Sequence, residues 1–119
     1  MSWRVEFFVD ERGRAPVEDF LASLPVEQRA KLLALIQMLE HEGSSLPFPY
    51  CSQVRGRLRE LRTQRGKDNL RVFYFGDPAR TFVLLHGIVK RSRQTPEQDV
   101  RIAEKRMQSH IRRIEERDK

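Results

Sequence analysis

Four basic residues of this 119-residue chain stand where the surrounding pattern calls for buried strand: Arg62, Arg71 and the pair Lys90-Arg91. Each lies at or near the end of an apolar segment, so neighbouring strands can bring them to one side of a sheet. Such a cluster of cations suits metal-free cleavage of RNA. In that reaction a 2′-hydroxyl attacks the adjacent phosphorus and a base takes its proton. Cations stabilise the phosphorane, and an acid protonates the leaving 5′-oxygen. Arg71, Lys90 and Arg91 are the candidates for stabilising charge, and His86 or Tyr74 for moving protons. Each also has a purely structural reading. Arg71 can pair with Glu60 on the neighbouring strand. His86, between Leu85 and Gly87 on an apolar strand, reads by default as a hydrogen-bonded core histidine. Tyr74 alternates with Val72, as a half-buried packing residue would.

Other chemistries lack their residues. His41, His86 and His110 stand apart, with no His or Cys at zinc-ligand spacing, so no metal site is expected. No glycine-rich phosphate loop and no serine elbow occurs, and no cofactor is expected. Net charge is +6, unevenly spread: residues 1–50 carry −3, residues 51–95 carry +8 and residues 96–119 carry +1. Arginine outnumbers lysine 18 to 5, and guanidinium grips phosphate in a planar fork and stacks on bases. The basic middle segment therefore points to nucleic acid, with an acidic protein partner as the competing explanation. Arg55, Arg57, Arg59, Arg62 and Arg93 are the expected RNA contacts. The lone Cys51 excludes an internal disulfide and is expected to be inert. With no apolar run near bilayer length and no secretory signal, a cytoplasmic protein without a membrane partner is expected.

The elements that must position these residues are legible in outline. Residues 1–119 read as a single α+β domain, with a small antiparallel sheet of mixed edge, two early helices and a final helix, in the order β-α-α-β-β-β-α. Trp3 to Val9 reads as a strand, with Val5, Phe7 and Val9 on one face. Pro16 opens a short helix and Pro25 a longer one, in which Leu32, Leu35, Ile36 and Leu39 form a buried stripe that Gly43 ends. Residues 43–50 read as a loop. Val54–Thr63, Leu70–Gly76 and Thr81–Val89 read as three strands joined by tight turns. Alternation puts Arg71 with Phe73 and Phe75, and His86 with Phe82, Ile88 and Lys90. Both faces carry aromatics, so alternation leaves open which face is uncovered. Thr95-Pro96-Glu97-Gln98 reads as a helix start with Thr95 as N-cap, followed by an apolar seam of Val100, Ala103, Met107 and Ile114.

Leu58-Arg-Glu-Leu-Arg62, Leu70-Arg-Val-Phe-Tyr-Phe75 and Leu84-Leu-His-Gly-Ile-Val-Lys-Arg-Ser-Arg-Gln-Thr-Pro96 together resemble the RelE/HigB superfamily of type II toxins, most closely its phage-derived HigB-like branch. The resemblance covers nearly the whole chain. It implies a metal-independent endoribonuclease that cuts mRNA on the ribosome and is held inactive by a cognate antitoxin, expected to be a helix-turn-helix protein of HigA type. By position Arg71, Arg62 and Lys90-Arg91 match basic positions of the family. The sequence departs from the RelE branch in having Leu58-Arg59-Glu60 where that branch has catalytic lysines, and in lacking a late tyrosine; His86 is the expected substitute. The superfamily also contains ParE-like inhibitors of DNA gyrase, and an inactive antitoxin-binding module is a further alternative.

Overall fold

The computed structural model describes residues 3–92 and 94–118. Val5 and Phe7 alternate with polar neighbours in β1 (Arg4–Phe7). Pro16 then occupies the first turn of α1 (Pro16–Ser23), where a missing N–H costs nothing. In α2 (Val26–Glu42) the stripe Leu32, Leu35, Ile36 and Leu39 is buried, and Gly43 caps the end. The second half of the chain is a run of hairpins: β2 (Cys51–Arg55), β3 (Leu58–Arg65), β4 (Asp68–Gly76) and β5 (Thr81–Lys90). It is followed by the long helix α3 (Glu97–Arg117).

The sheet order is β1-β5-β4-β3-β2, antiparallel except where β1 runs parallel to β5 at one edge. The mixed edge and the three expected helices are therefore present. The basic strand expected over residues 54–63 is two strands, because Gly56, at φ +57°, turns the chain back on itself and pairs Cys51 with Leu61. The loop before it keeps its expected extent, with a single 3-10 turn at Gly43–Ser45.

Two apolar layers flank the sheet. Helices α1 and α2 cover Leu61, Leu70, Val72, Tyr74 and Leu84. Helix α3 lays Val100, Ala103 and Met107 on Leu58, Phe73, Phe75, Val83, Leu85 and Ile88. Full burial of a leucine such as Leu32 or Leu61 contributes about 2 kcal/mol. At the end of β1 the expected alternation holds: Phe8 lies on the other face from Val5 and Phe7, which α3 covers, so it is buried while Val9 is exposed. Strand pairing ends with the Phe8 N–H donating to the Leu84 carbonyl at 2.9 Å.

A bulge in β5 changes which residues share a face. Phe73 lies opposite His86 but Tyr74 lies opposite Leu84, so Leu85 is an extra residue. Phe82 therefore packs under the early helices, while His86 turns to the α3 side. The expected grouping of His86 with Phe82 is wrong for this reason; its grouping with Ile88 holds. Past the bulge, Gly87 faces α1, where the Phe20 ring approaches so closely that a Cβ would lie 2.2 Å from it.

Candidate functional site

Helix α3 covers only part of its face of the sheet. Beyond its first turn the strands continue with polar residues, and Arg62, directly across from Arg71, shares the α3 side with it. A groove of about 280 Å³ opens there, lined by Pro49, Tyr50, Arg62, Thr63, Gln64, Asn69 and Arg71. Arg71 is 3% exposed. Its guanidinium donates to the Thr95 hydroxyl, which donates in turn to Glu60 Oε2 across a long 3.5 Å. The Glu60 carboxylate is itself 5% exposed. Its other oxygen accepts from Ser52 Oγ at 3.4 Å and lies 3.5 Å from Arg62 Nε. The two arginines that line the groove are thus joined, behind its wall, through a hydroxyl and a carboxylate. Burying charge on this scale is tolerated only when it is paired and hydrogen-bonded.

This network explains how α3 begins. Thr95, expected as N-cap, makes no capping hydrogen bond; Pro96 is the cap residue and the helix starts at Glu97. The Thr95 hydroxyl is engaged by Arg71 and Glu60 instead. Nor does Glu60 stand opposite Arg71: Phe73 is its cross-strand partner, and Arg62 is that of Arg71. The expected ion pair becomes, through Thr95, a bridged contact. At the rim, the Asn69 amide donates to the carbonyls of Arg91 and Ser92, holding the end of β5 against β4. Lys90, paired with Asn69, lies beside this rim. Arg91 is exposed and sits 3.7 Å from Asp68.

The remaining candidates go elsewhere. The His86 ring is under α3, with Nε2 2.7 Å from Asp99 Oδ1 and Nδ1 3.2 Å from Arg106 Nη1. Because arginine can only donate, Nδ1 is the acceptor, and the ring proton is on Nε2 facing Asp99. Tyr74 is on the opposite face, where burial pushes its hydroxyl up to about 12. Arg59 is on that opposite face too. It donates to Cys51 Sγ at 3.4 Å, which raises its pKa. Arg55 reaches Glu104 at 2.6 Å and Glu97 at 3.1 Å, tying β2 to α3; that contact holds Glu104 below the usual carboxylate range. Arg57 lies over the Phe75 ring and donates to the Gly76 carbonyl. Arg93 lies outside the described residues. Of the four expected RNA contacts among the described residues, only Arg62 lines the groove with Arg71.

Sequence reasoning passed over Thr95, which looked like a cap, and over the groove wall at Pro49-Tyr50, which looked like plain loop. It weighed Glu60 only as an ion-pair partner. Their common signal is proximity in space, which no spacing in the sequence carries. Chemically, two arginines and a carboxylate around a shallow groove can grip a phosphodiester and accept a proton beside it. Among the described residues no cluster of three His, Cys, Asp or Glu could hold a metal ion, and no helix is long and apolar enough to cross a membrane.

Comparison with known proteins adds an independent line. A family described as "Phage derived protein Gp49-like (DUF891)" matches residues 19–108. A curated protein of Mycobacterium tuberculosis (strain ATCC 25618 / H37Rv) named "Putative toxin HigB2" is 28% identical over 107 residues, covering 84% of this chain and 53% of that protein. The chain thus spans about half the length of that relative. Among solved structures, the archaeal RelE-RelB complex from Pyrococcus horikoshii OT3 contains a similar chain, 24% identical, with a TM-score of 0.48 over 79% of this chain and 100% of that one.

Proposed function

The chain belongs to the Gp49-like family, the phage-derived HigB-like branch of the RelE/HigB superfamily of toxins, and from that membership we propose that it is a toxin endoribonuclease of a toxin–antitoxin pair. Its substrate is mRNA on the ribosome, its site of action the cytoplasm, and its inhibitor a cognate antitoxin, of the helix-turn-helix HigA type. The observation that carries the reading is the buried Arg71, which lines an open groove and is hydrogen-bonded through Thr95 to Glu60 behind it.

In this proposal a phosphodiester of single-stranded mRNA lies across the groove. The 2′-oxygen attacks phosphorus, the P–O2′ bond forms and the P–O5′ bond breaks. Glu60 takes the 2′-proton, while Arg62 and Arg71 stabilise the charge on the phosphorane. Lys90 donates a hydrogen bond to the leaving oxygen from the rim, while Arg91 is drawn to Asp68 beside Gln28 on the α2 side; a water protonates that oxygen and is itself reprotonated by Glu60. The products are a 2′,3′-cyclic phosphate and a 5′-hydroxyl. His86 acts as a positioning residue, holding α3 to β5 through Asp99 and Arg106.

The test is mapping of cut sites by primer extension in a translating extract. Wild-type protein is expected to cut within translated codons. Arg71→Ala is expected to slow cutting by about 10²–10³-fold. Cutting by the variant at the wild-type rate would remove Arg71 from the mechanism. Intact transcripts with wild-type protein would overturn the reading and direct attention to gyrase supercoiling.

A further inference from the structure

Among the described residues the large apolar side chain most exposed to solvent is Phe48, at 71%, and Tyr50, two residues on, is 43% exposed. Tyr50 lines the groove, and Phe48 meets Arg62, which lines it too. Single exposed apolar residues are ordinary on protein surfaces, but the surroundings of this pair are not those of a loose loop. Leu46 is buried on one side of the segment and Cys51 on the other. The Cys51 thiol donates to the Leu46 carbonyl at 3.0 Å. The Tyr50 N–H donates to the Pro47 carbonyl at 3.0 Å, and the Tyr50 carbonyl accepts from the Arg62 N–H at 2.8 Å. The segment is pinned at both ends and to β3, so its rings are held out deliberately.

The second observation is the partner of Phe48. The Arg62 guanidinium lies 5.6 Å from the ring centroid, and the same guanidinium meets Glu60 behind the groove. Across the strand from Arg62 is Arg71. Aromatic ring, stacked cation and buried cation therefore follow one another, the ring outside the groove and the two cations lining it. Alternating stacking surface and positive charge is what a single-stranded nucleic acid requires, because each nucleotide presents a flat base and an anionic phosphate in turn.

We propose that Phe48 and Tyr50 form a stacking lip that holds one unpaired RNA base beside the phosphate gripped by Arg62 and Arg71. The proposal rests on the endoribonuclease reading above and adds what sets the register of the strand in the groove. Because stacking alone does the holding, the lip accepts any base but holds purines more tightly than uracil.

The test uses full-length protein and hexanucleotides with 2′-O-methyl groups, which cannot be cut, in a fluorescence anisotropy titration. One oligonucleotide carries adenines, one uracils, and one is abasic at the central positions with the same phosphates. Wild-type protein is expected to bind oligo(A) about tenfold more tightly than the abasic strand, with oligo(U) between. Phe48→Ala is expected to bind all three like the abasic strand, and Phe48→Trp to restore the preference for bases. Since Phe48 is largely outside the core, unchanged thermal unfolding of Phe48→Ala shows that the fold is intact. Equal binding of oligo(A) by wild type and Phe48→Ala overturns the proposal, as does wild-type binding that ignores bases or is undetectable. Intact RNA binding with loss of a co-expressed antitoxin by Phe48→Ala would mark the lip as a protein-docking surface and also overturn it. The two readings fail separately. Normal mRNA cutting by Phe48→Ala sinks the lip and spares the enzyme; base-dependent binding without ribosomal cutting sinks the enzyme and spares the lip.

Discussion

Glu60 occupies the position behind the groove where a single charge matters most. It accepts hydrogen bonds from Ser52 and Thr95, meets Arg62, and through Thr95 joins the arginine beneath the groove. A structural role needs its shape and acceptors; a role as proton acceptor needs its charge. Glu60→Gln separates them, because the amide keeps the size and one acceptor oxygen. We expect Glu60→Gln to fold and to cut ribosome-bound mRNA about 10²–10³-fold more slowly than wild type. Cutting within a few-fold of wild type would assign the proton to another group. His86 is the contrasting residue. Both its ring nitrogens are engaged, by Asp99 and Arg106, and it is stacked 5.9 Å from Phe73. It holds α3 rather than facing the groove.

At the scale of the element, β5 has the most consequences. Its bulge turns His86 toward α3 and leaves Gly87 facing α1, beneath Phe20. A methyl group at Gly87 would overlap the ring, so Gly87→Ala must push α1 outward or tilt Phe20. Overpacking of this kind costs about 1–3 kcal/mol. The urea midpoint of Gly87→Ala is expected to fall accordingly with the slope of the transition unchanged. Helix α1 lies on the face of the sheet opposite the groove, so folded Gly87→Ala protein should still cut mRNA. Loss of cutting without loss of stability would show that the helical layer and the groove are coupled. The hairpin at Gly56 matters in a different way: it diverts Arg55 to α3, where Glu97 and Glu104 take its charge.

At the scale of the molecule, α3 must stay docked, because its entry loop supplies Thr95. The far half of that helix is held partly by His110. His110 packs edge-on against Phe75 at 5.7 Å and lies 3.8 Å from Asp77, close enough for attraction but too far for a hydrogen bond. Burial lowers its pKa below the ordinary 6.5; Asp77 and Glu6 pull it up, and Arg113 pushes it down. A lowered folded-state pKa means that the unfolded chain takes up the proton more readily. Its contribution is therefore complete above about pH 6.5 and is lost as pH falls below that value. Urea unfolding at pH 7.5 and pH 5.5 should show wild type weakening over this interval, and His110→Phe weakening less. Equal slopes would exclude His110 as the source.

The sequence by itself determined the α+β class, the three helices, the basic central segment and, through motifs between Leu58 and Pro96, the family. These are local or near-local properties: helical stripes such as Leu32-Leu35-Ile36-Leu39, tight turns, and charge density along the chain. It also singled out Arg62 and Arg71. What only the tertiary structure decided is the company these residues keep. Gly56 could be read as one residue within a strand until pairing of Cys51 with Leu61 made it a turn. Alternation could not register an extra Leu85, and one such residue moves a side chain to the other face of a sheet. Thr95 has the local signature of a helix cap, and the local preference lost to a buried arginine that needed its hydroxyl. Arg55, Arg57 and Arg59 looked equivalent to Arg62 in a run of alternating arginines, yet strand direction and a turn sent them to three other places. Short-range preferences are written residue by residue. A site joins residues from four strands and two loops, and its geometry exists only once the sheet has closed.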